Sequence, residues 1–257
     1  MSQNNEVIIK FDSIQKQYGD FSAVKGISLE VSRGELFGFL GPNGAGKTTM
    51  IRMLTGIIRP TSGSITIGGF DLYKDPIKAK SMIGYVPDRP YLYEKLTPIE
   101  YFEFMGGLYN VKKERIKEIS ERMLKMFDLR EKRDELIESF SHGMKQKVAM
   151  IAAILHDPDI LVVDEPTVGL DPRSIKLVKE YFKSWTNEGK TLFLTTHTLS
   201  VAQDLCQRIA IIRHGEIAAL GNLSQLQEQA KLPGNDLESV FLKLTEEENE
   251  EKQFKES

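Results

Sequence analysis

Residues 36–50, LFGFLGPNGAGKTTM, join five consecutive apolar residues to a glycine-rich turn and then to the start of a helical pattern. An uninterrupted apolar run bounded by glycine reads as a strand buried on both faces. The turn fits G-x-x-x-x-G-K-[ST], and here it stands in the strand–loop–helix setting that gives the pattern its meaning. Gly41, Gly44 and Gly46 permit backbone angles that turn successive amides toward an anion. Pro42, Asn43, Ala45 and Thr49 complete the loop. Lys47 adds a point charge suited to the β and γ phosphates of a nucleotide, and the Thr48 hydroxyl suits Mg²⁺. A glycine turn beside a surface lysine is the bland alternative, and the flanking strand and helix argue against it.

Outward from this loop, further apolar runs read as strands at 7–11, 64–67, 82–86, 160–163, 191–196 and 208–213. Their near-continuous apolarity predicts parallel strands covered on both faces, and the helices between several of them predict an α/β fold. Between Val86 and Ile160 no strand pattern occurs. Thr97, Pro98 and Glu100 form a capping box with proline at the first helical position. Ile116, Ile119, Met123, Leu124 and Phe127 recur at helical spacing, and a third helix runs from Ser141 towards His156. This segment, 88–157, reads as an inserted helical subdomain. Leu237, Val240, Phe241 and Leu244 mark a terminal amphipathic helix expected to dock on the core, and residues 246–257 hold six glutamates against two lysines, the composition of a disordered tail.

The chain of 257 residues is long enough for one substantial core with an appended subdomain. A net charge of −3 and a pI near 5.9 argue against a nucleic-acid partner. The single cysteine, Cys206, leaves no internal disulfide and fits a reducing compartment. No run approaches the ~18 apolar residues that span a bilayer.

Two more strand ends carry chemistry. ILVVDEP, 160–166, places Asp164 where it can hold Mg²⁺ through water, and Glu165 where it can orient or deprotonate an attacking water. LTTHT, 194–198, ends a strand with His197, which in the same sheet can bond a terminal phosphate and that water. About a hundred residues past the loop, SFSHGMKQK, 139–147, resembles a second phosphate cradle without a lysine. Ser141 is placed to cap a helix, and Gly143 allows close backbone approach.

The order GPNGAGKTT, serine–glycine helix start, ILVVDEPTVGLD and strand-end histidine resembles the ATP-binding subunits of ABC transporters over roughly residues 6 to 244. The resemblance implies a RecA-like P-loop NTPase core with a mostly parallel sheet (6–87 and 158–222), an N-terminal antiparallel β subdomain, the helical subdomain, C-terminal helices at 223–244 and a tail from 245. It implies ATP and Mg²⁺ as ligands, with Thr48, Asp164 and Asp88 on the metal side and Tyr18 stacked on adenine. Two cassettes, identical or different, would pack head to tail, so that Ser141 and Gly143 grip the partner's nucleotide and Gly169, Leu170 and Asp171 pair across the dimer; Asp171 alternatively caps the next helix.

The resemblance further implies an integral membrane permease subunit and a place on the cytoplasmic face of the membrane. The wording around 88–97 and 238–245 leans toward export. The other reading is an ATPase that regulates a membrane partner without moving a solute. Asp88 stands where the family usually has glutamine, and it has no hydrogen-bond donor when ionised. Tyr91, Tyr93, Leu96, Phe102 and Phe104 fall where the family receives a short helix of the membrane subunit; some of them must instead be core.

Overall fold

The computed structural model describes residues 6–246. Strands β1 (Val7–Tyr18) and β2 (Phe21–Ser32) pair antiparallel across a two-residue turn, down to Tyr18 opposite Phe21. Then come β3 (Leu36–Leu40), α1 (Lys47–Leu54), β4 (Ser62–Ile67), β5 (Phe70–Asp71), α2 (Pro76–Ser81) and β6 (Ile83–Val86). Three α-helices follow without a strand: α3 (Pro98–Leu108), α4 (Lys113–Met126) and α5 (His142–Ile154). The alternation resumes with β7 (Ile160–Asp164), α6 (Pro172–Asn187), β8 (Thr191–Thr195), α7 (Leu199–Leu205) and β9 (Arg208–Arg213). The described chain ends with β10 (Glu216–Gly221), α8 (Leu223–Gln229) and α9 (Leu237–Glu246).

Six strands form one sheet in the order β10-β9-β3-β8-β7-β6, all parallel except β10. β3 and β8 are buried at every position, as their unbroken apolarity predicts. Register brings Phe39 and Asp164 both opposite Thr195, so the carboxyl ends of β3, β7 and β8 open on one side. That edge is where open α/β sheets bind ligands.

β2-β1-β4-β5 form a second, antiparallel sheet. The runs at 7–11 and 64–67 belong to it, as the resemblance implies for the N-terminal region; only their reading as parallel strands from apolarity alone is corrected. A register shift between Val7 and Ile9 lets consecutive Ile8 and Ile9 both bury, imitating the signature of a two-sided strand. β2 and β10 are absent from the sequence reading, although Ile27, Leu29 and Val31 alternate inward with exposed neighbours.

One cluster of buried side chains fills the space between the two sheets and α1, including Phe11, Phe37, Phe39, Ile65 and Phe193. A second joins the helical insertion to the other face of the parallel sheet. Phe102, Ile116, Phe127 and Val148 share it with Leu161, Val163, Leu192 and Leu194. The insertion therefore packs into the common core. Thr97 and Glu100 make the expected capping box, and all five apolar positions read for the 116–127 stripe are buried. In α9, Leu237 and Val240 are fully buried and Phe241 and Leu244 pack beside them. That helix reaches Glu246; the rest of the acidic tail lies outside the described residues. No helix among the described residues is long and apolar enough to cross a membrane.

Candidate active site

The three loop glycines are required for different reasons. A Cβ on Gly41 would lie 2.3 Å from the Ile212 carbonyl oxygen of β9, so the loop can pack on that strand only without a side chain. Gly44 faces open space but has φ +79°, the left-handed region that glycine adopts freely. Gly46, at φ +113°, has both constraints, since its Cβ would meet the Ala23 carbonyl oxygen at 2.7 Å. Gly46 is also the N-cap of α1 and offers no side-chain acceptor, so the first amides of the helix are not capped from that position. A helix start of this kind favours an anion. Lys47 Nζ reaches back to the carbonyl oxygens of Gly41 at 2.5 Å and Pro42 at 3.0 Å. Burial holds its pKa below the ordinary 10.5, opposed by the charges of Glu165 and Asp164.

At the end of β7 the two carboxylates have separate surroundings. Asp164 accepts a 2.5 Å hydrogen bond from Thr195 Oγ1 of the neighbouring strand. Burial raises its pKa above 3.8; the Thr195 hydroxyl opposes that rise, and Glu165 and Asp88 reinforce it. Glu165 lies past the strand in the left-handed region, φ +52°, and its amide donates to the Thr195 carbonyl. A non-glycine residue persists in that conformation only where its surroundings hold it. Oε2 accepts from Thr196 Oγ1 and from the His197 amide, both at 3.1 Å, and His197 Nδ1 lies 2.8 Å from the same oxygen. All three partners converge on Oε2, while Oε1 has no hydrogen-bond partner among the described residues.

These groups line one cavity of about 800 Å³. The sequence-predicted residues on its wall are Asn43, Gly44, Gly46, Lys47, Thr48, Thr49, Asp88, Asp164, Glu165 and His197. Gly41, Pro42 and Ala45 shape the loop from behind; Ala45 is buried, and its carbonyl accepts from the Gly215 amide. Thr48, Asp88 and Asp164 offer oxygen donors only. Among the described residues no group of three or more His, Cys, Asp or Glu could hold a metal ion. The donor set fits Mg²⁺, which keeps several waters and rests on one or two carboxylates together with substrate phosphates.

Other predicted residues lie elsewhere. Tyr18 is not on the cavity wall, and the ammonium of Lys16 sits over its ring at 5.1 Å. Its register partner Phe21, which sequence reasoning passed over, is on the wall and 64% exposed. Asp171 caps α6, accepting from the Ser174 amide at 2.9 Å and from Ser174 Oγ at 2.5 Å, and those bonds lower its pKa. Ser141 caps α5 and is exposed, its hydroxyl accepting from the Met144 amide at 3.3 Å. Gly143 is buried, and a Cβ there would lie 2.4 Å from the Gly169 carbonyl oxygen of the same chain. Gly143 therefore also lies against backbone of its own chain. His142 packs on Gly169 and reaches the cavity, as do Ala23, Arg89 and Val168. The only sequence signal for Arg89 was a cation beside Asp88.

The aromatic region divides: Phe102 is fully buried, whereas Tyr91, Tyr93 and Phe104 are 92%, 59% and 43% exposed. The exposed rings of Tyr93 and Phe104 meet edge to face at 5.1 Å and, with Leu92 and Leu96, line an apolar groove.

Comparisons with known proteins agree on one family. The family model for ABC transporter matches residues 24–168. The chain is 41% identical to the linearmycin resistance ATP-binding protein LnrL of Bacillus subtilis, over 85% of this chain and 70% of that one. It is 38% identical to the ABC transporter ATP-binding protein NatA of Bacillus subtilis, covering 86% and 89%. With the Nod factor export ATP-binding protein I of Paraburkholderia xenovorans it shares 38%, covering 86% and 73%. A solved ATP-binding subunit of an ABC transporter superposes with a TM-score of 0.88 at 30% identity, covering 92% of this chain and 99% of that one. A dimeric ATP-binding cassette in a post-hydrolysis state with ADP and Pi gives 0.74 at 26% identity, covering 84% and 99%.

Proposed function

Because the chain belongs to the ABC transporter family, as an ATP-binding and ATP-hydrolysing subunit serving a separate membrane subunit, we propose that the 800 Å³ cavity is its half of an ATP site completed by a second cassette. The observation that carries this reading is the asymmetry at Glu165. One carboxylate oxygen is anchored by Thr196 and His197, and the other has no partner among the described residues, in a cavity that also holds Lys47 and Thr48.

In this reading the amides of 43–48 and Lys47 bind the phosphates, and Lys47 exchanges the Gly41 and Pro42 carbonyls for phosphate oxygens. Thr48, Asp164 and Asp88 would hold Mg²⁺, which when bound would supply charge neutralisation at the phosphates. Oε1 of Glu165 accepts a hydrogen bond from the attacking water and takes its proton as the terminal phosphate leaves. His197 keeps Oε2 in place. The exposed Ser141 end of α5 faces the nucleotide of the second cassette, and closure of the two cassettes drives the membrane subunit through the groove around Tyr93 and Phe104. The movement is export, at the cytoplasmic face of the membrane; the relatives named for linearmycin resistance and Nod factor export support that direction.

Two variants test the reading. Lys47→Ala weakens nucleotide binding itself. Glu165→Gln retains both phosphate grips but lowers phosphate release by about 10²-fold or more, the usual contribution of a positioned base, and accumulates an ATP-bound dimer. A light-scattering mass that stays monomeric in saturating ATP and Mg²⁺, for protein shown to bind ATP, overturns it. Direction is measured by transport into inside-out vesicles that contain the co-purifying membrane subunit.

A further inference from the structure

The segment Pro87-Asp88-Arg89-Pro90 runs along the cavity wall between β6 and the helical insertion, and both of its charged residues line the cavity. Proline fixes its own φ and forces the preceding residue toward extended backbone, so Pro87 stiffens Val86 and Pro90 stiffens Arg89. From the other side, the fully buried Gln146 of α5 donates from Nε2 to the Pro87 carbonyl at 3.1 Å. The Asp-Arg pair is therefore carried on a bracketed segment.

Arg89 forms no hydrogen bond or ion pair with any described residue. The other charged side chains on the wall are three carboxylates, Asp88, Asp164 and Glu165, and one ammonium, Lys47. A triphosphate entering beside those carboxylates meets little fixed positive charge without Arg89. Asp88 when ionised can only accept, so it cannot donate to a phosphate oxygen. Its neighbour carries five N–H donors in a planar fork that matches phosphate geometry and cannot lose its charge.

We propose that Arg89 is a phosphate-binding residue of the chain's own nucleotide site, donating to terminal phosphate oxygens while Asp88 faces the metal. Two adjacent residues then divide the donor and acceptor duties of this wall. The inference rests on the reading of the cavity as an ATP site. It makes Arg89 a determinant of the preference for ATP over ADP, because ADP lacks the group that the guanidinium binds.

The experiment measures binding of ATP–Mg²⁺ and ADP–Mg²⁺ to the full chain in a Glu165→Gln background, where hydrolysis does not consume the probe. Arg89→Gln is expected to weaken ATP about tenfold, the loss of one charge-assisted hydrogen bond, and to change ADP by less than about twofold. Arg89→Lys, which keeps the charge but not the fork, is expected to recover part of the loss. Equal weakening of both nucleotides means a structural role, and no weakening of either means a role toward a partner protein; each overturns the proposal. Lys47→Ala in the same background is the control. If it abolishes binding while Arg89→Gln changes nothing, the Arg89 assignment alone fails. If it changes nothing, the ATP site itself has been misread.

Discussion

Replacing Gly143 by alanine separates two explanations of the serine–glycine helix start. A Cβ at 143 would lie 2.4 Å from the Gly169 carbonyl oxygen, 3.2 Å from its carbon and 3.4 Å from Leu170 Cδ2. The first contact is about 1 Å inside the 3.4 Å at which ordinary van der Waals contact begins. The obstacle is backbone, and the 165–171 loop is tied by the Glu165 amide to Thr195, by Val168 to Glu165 and by Leu170 to Thr167. Neither side yields readily, so the start of α5 must retreat. Overpacking of this kind costs about 1–3 kcal/mol. At ~2–4 °C per kcal/mol for chains of this size, Tm of the isolated chain falls by about 4–8 °C at the middle of that range. A 1 Å retreat also displaces Ser141, and misplacement on that scale lowers turnover by about 10²-fold in well-organised sites. The assays are thermal unfolding of the nucleotide-free monomer and phosphate release at saturating ATP. A Tm unchanged within about 1 °C, together with lost turnover, would refute the intrachain explanation and return Gly143 to service of the partner's nucleotide alone.

Asp164→Asn is expected to raise the stability of the nucleotide-free chain in EDTA while abolishing metal-dependent turnover. Burial raises the Asp164 pKa, so its ionised form is disfavoured by folding; the contribution is fully present below 3.8 and is lost as pH rises through the folded value. The Tm advantage of the variant must therefore grow from acid to neutral pH, and an advantage independent of pH refutes the assignment. Phe21→Ala should weaken nucleotide binding by about 1–3 kcal/mol if its ring stacks on the base, and Tyr18→Ala by less, because a lysine already covers that ring. The reverse order in a binding titration shows that Tyr18 is the platform.

The loop at 41–49 was legible because its chemistry is local: glycine, lysine and threonine at fixed spacing need only a strand before them and a helix after. Asp164, Glu165 and His197 were legible as strand ends for the same reason. Residues that reach the cavity by long-range placement were not. Phe21 arrives there because a hairpin turns its strand back beside Tyr18, and the spacing along the chain does not say which ring faces the loop. His142, next to Ser141, could be read either as approaching the nucleotide or as an interface histidine; its place on the wall depends on a buried glycine that lets α5 lie against the 169 turn. The parallel expectation for 7–11 failed on a bulge, which made a one-sided strand look two-sided. The aromatic cluster could not be divided in advance, since Phe102 and Phe104 differ in burial only through the face of α3 they occupy.

Helix α5 touches several of these scattered residues at once. Its N-terminus presents Ser141, Gly143 touches the loop that leaves Glu165, and Gln146 holds the carbonyl before Asp88. Lys145 pairs with Glu94 at 2.6 Å beside the apolar groove, and Lys147 donates to the Phe127 carbonyl at 3.2 Å. The exposed pair is worth at most about 1 kcal/mol, and the single amide bond about the same. From Val148 to Leu155 every side chain is buried in the core shared with α3 and α4. That burial outweighs the polar ties several-fold, at about 1.5–3 kcal/mol for each large apolar side chain. The same cluster holds Leu161, Val163, Leu192 and Leu194 of the parallel sheet, so burial fixes the helix to the insertion and to the sheet at once. If a membrane partner pushes at the groove, as proposed, the displacement reaches the Asp88–Arg89 wall through Gln146 and the Glu165 loop through Gly143 only with repacking of that shared core.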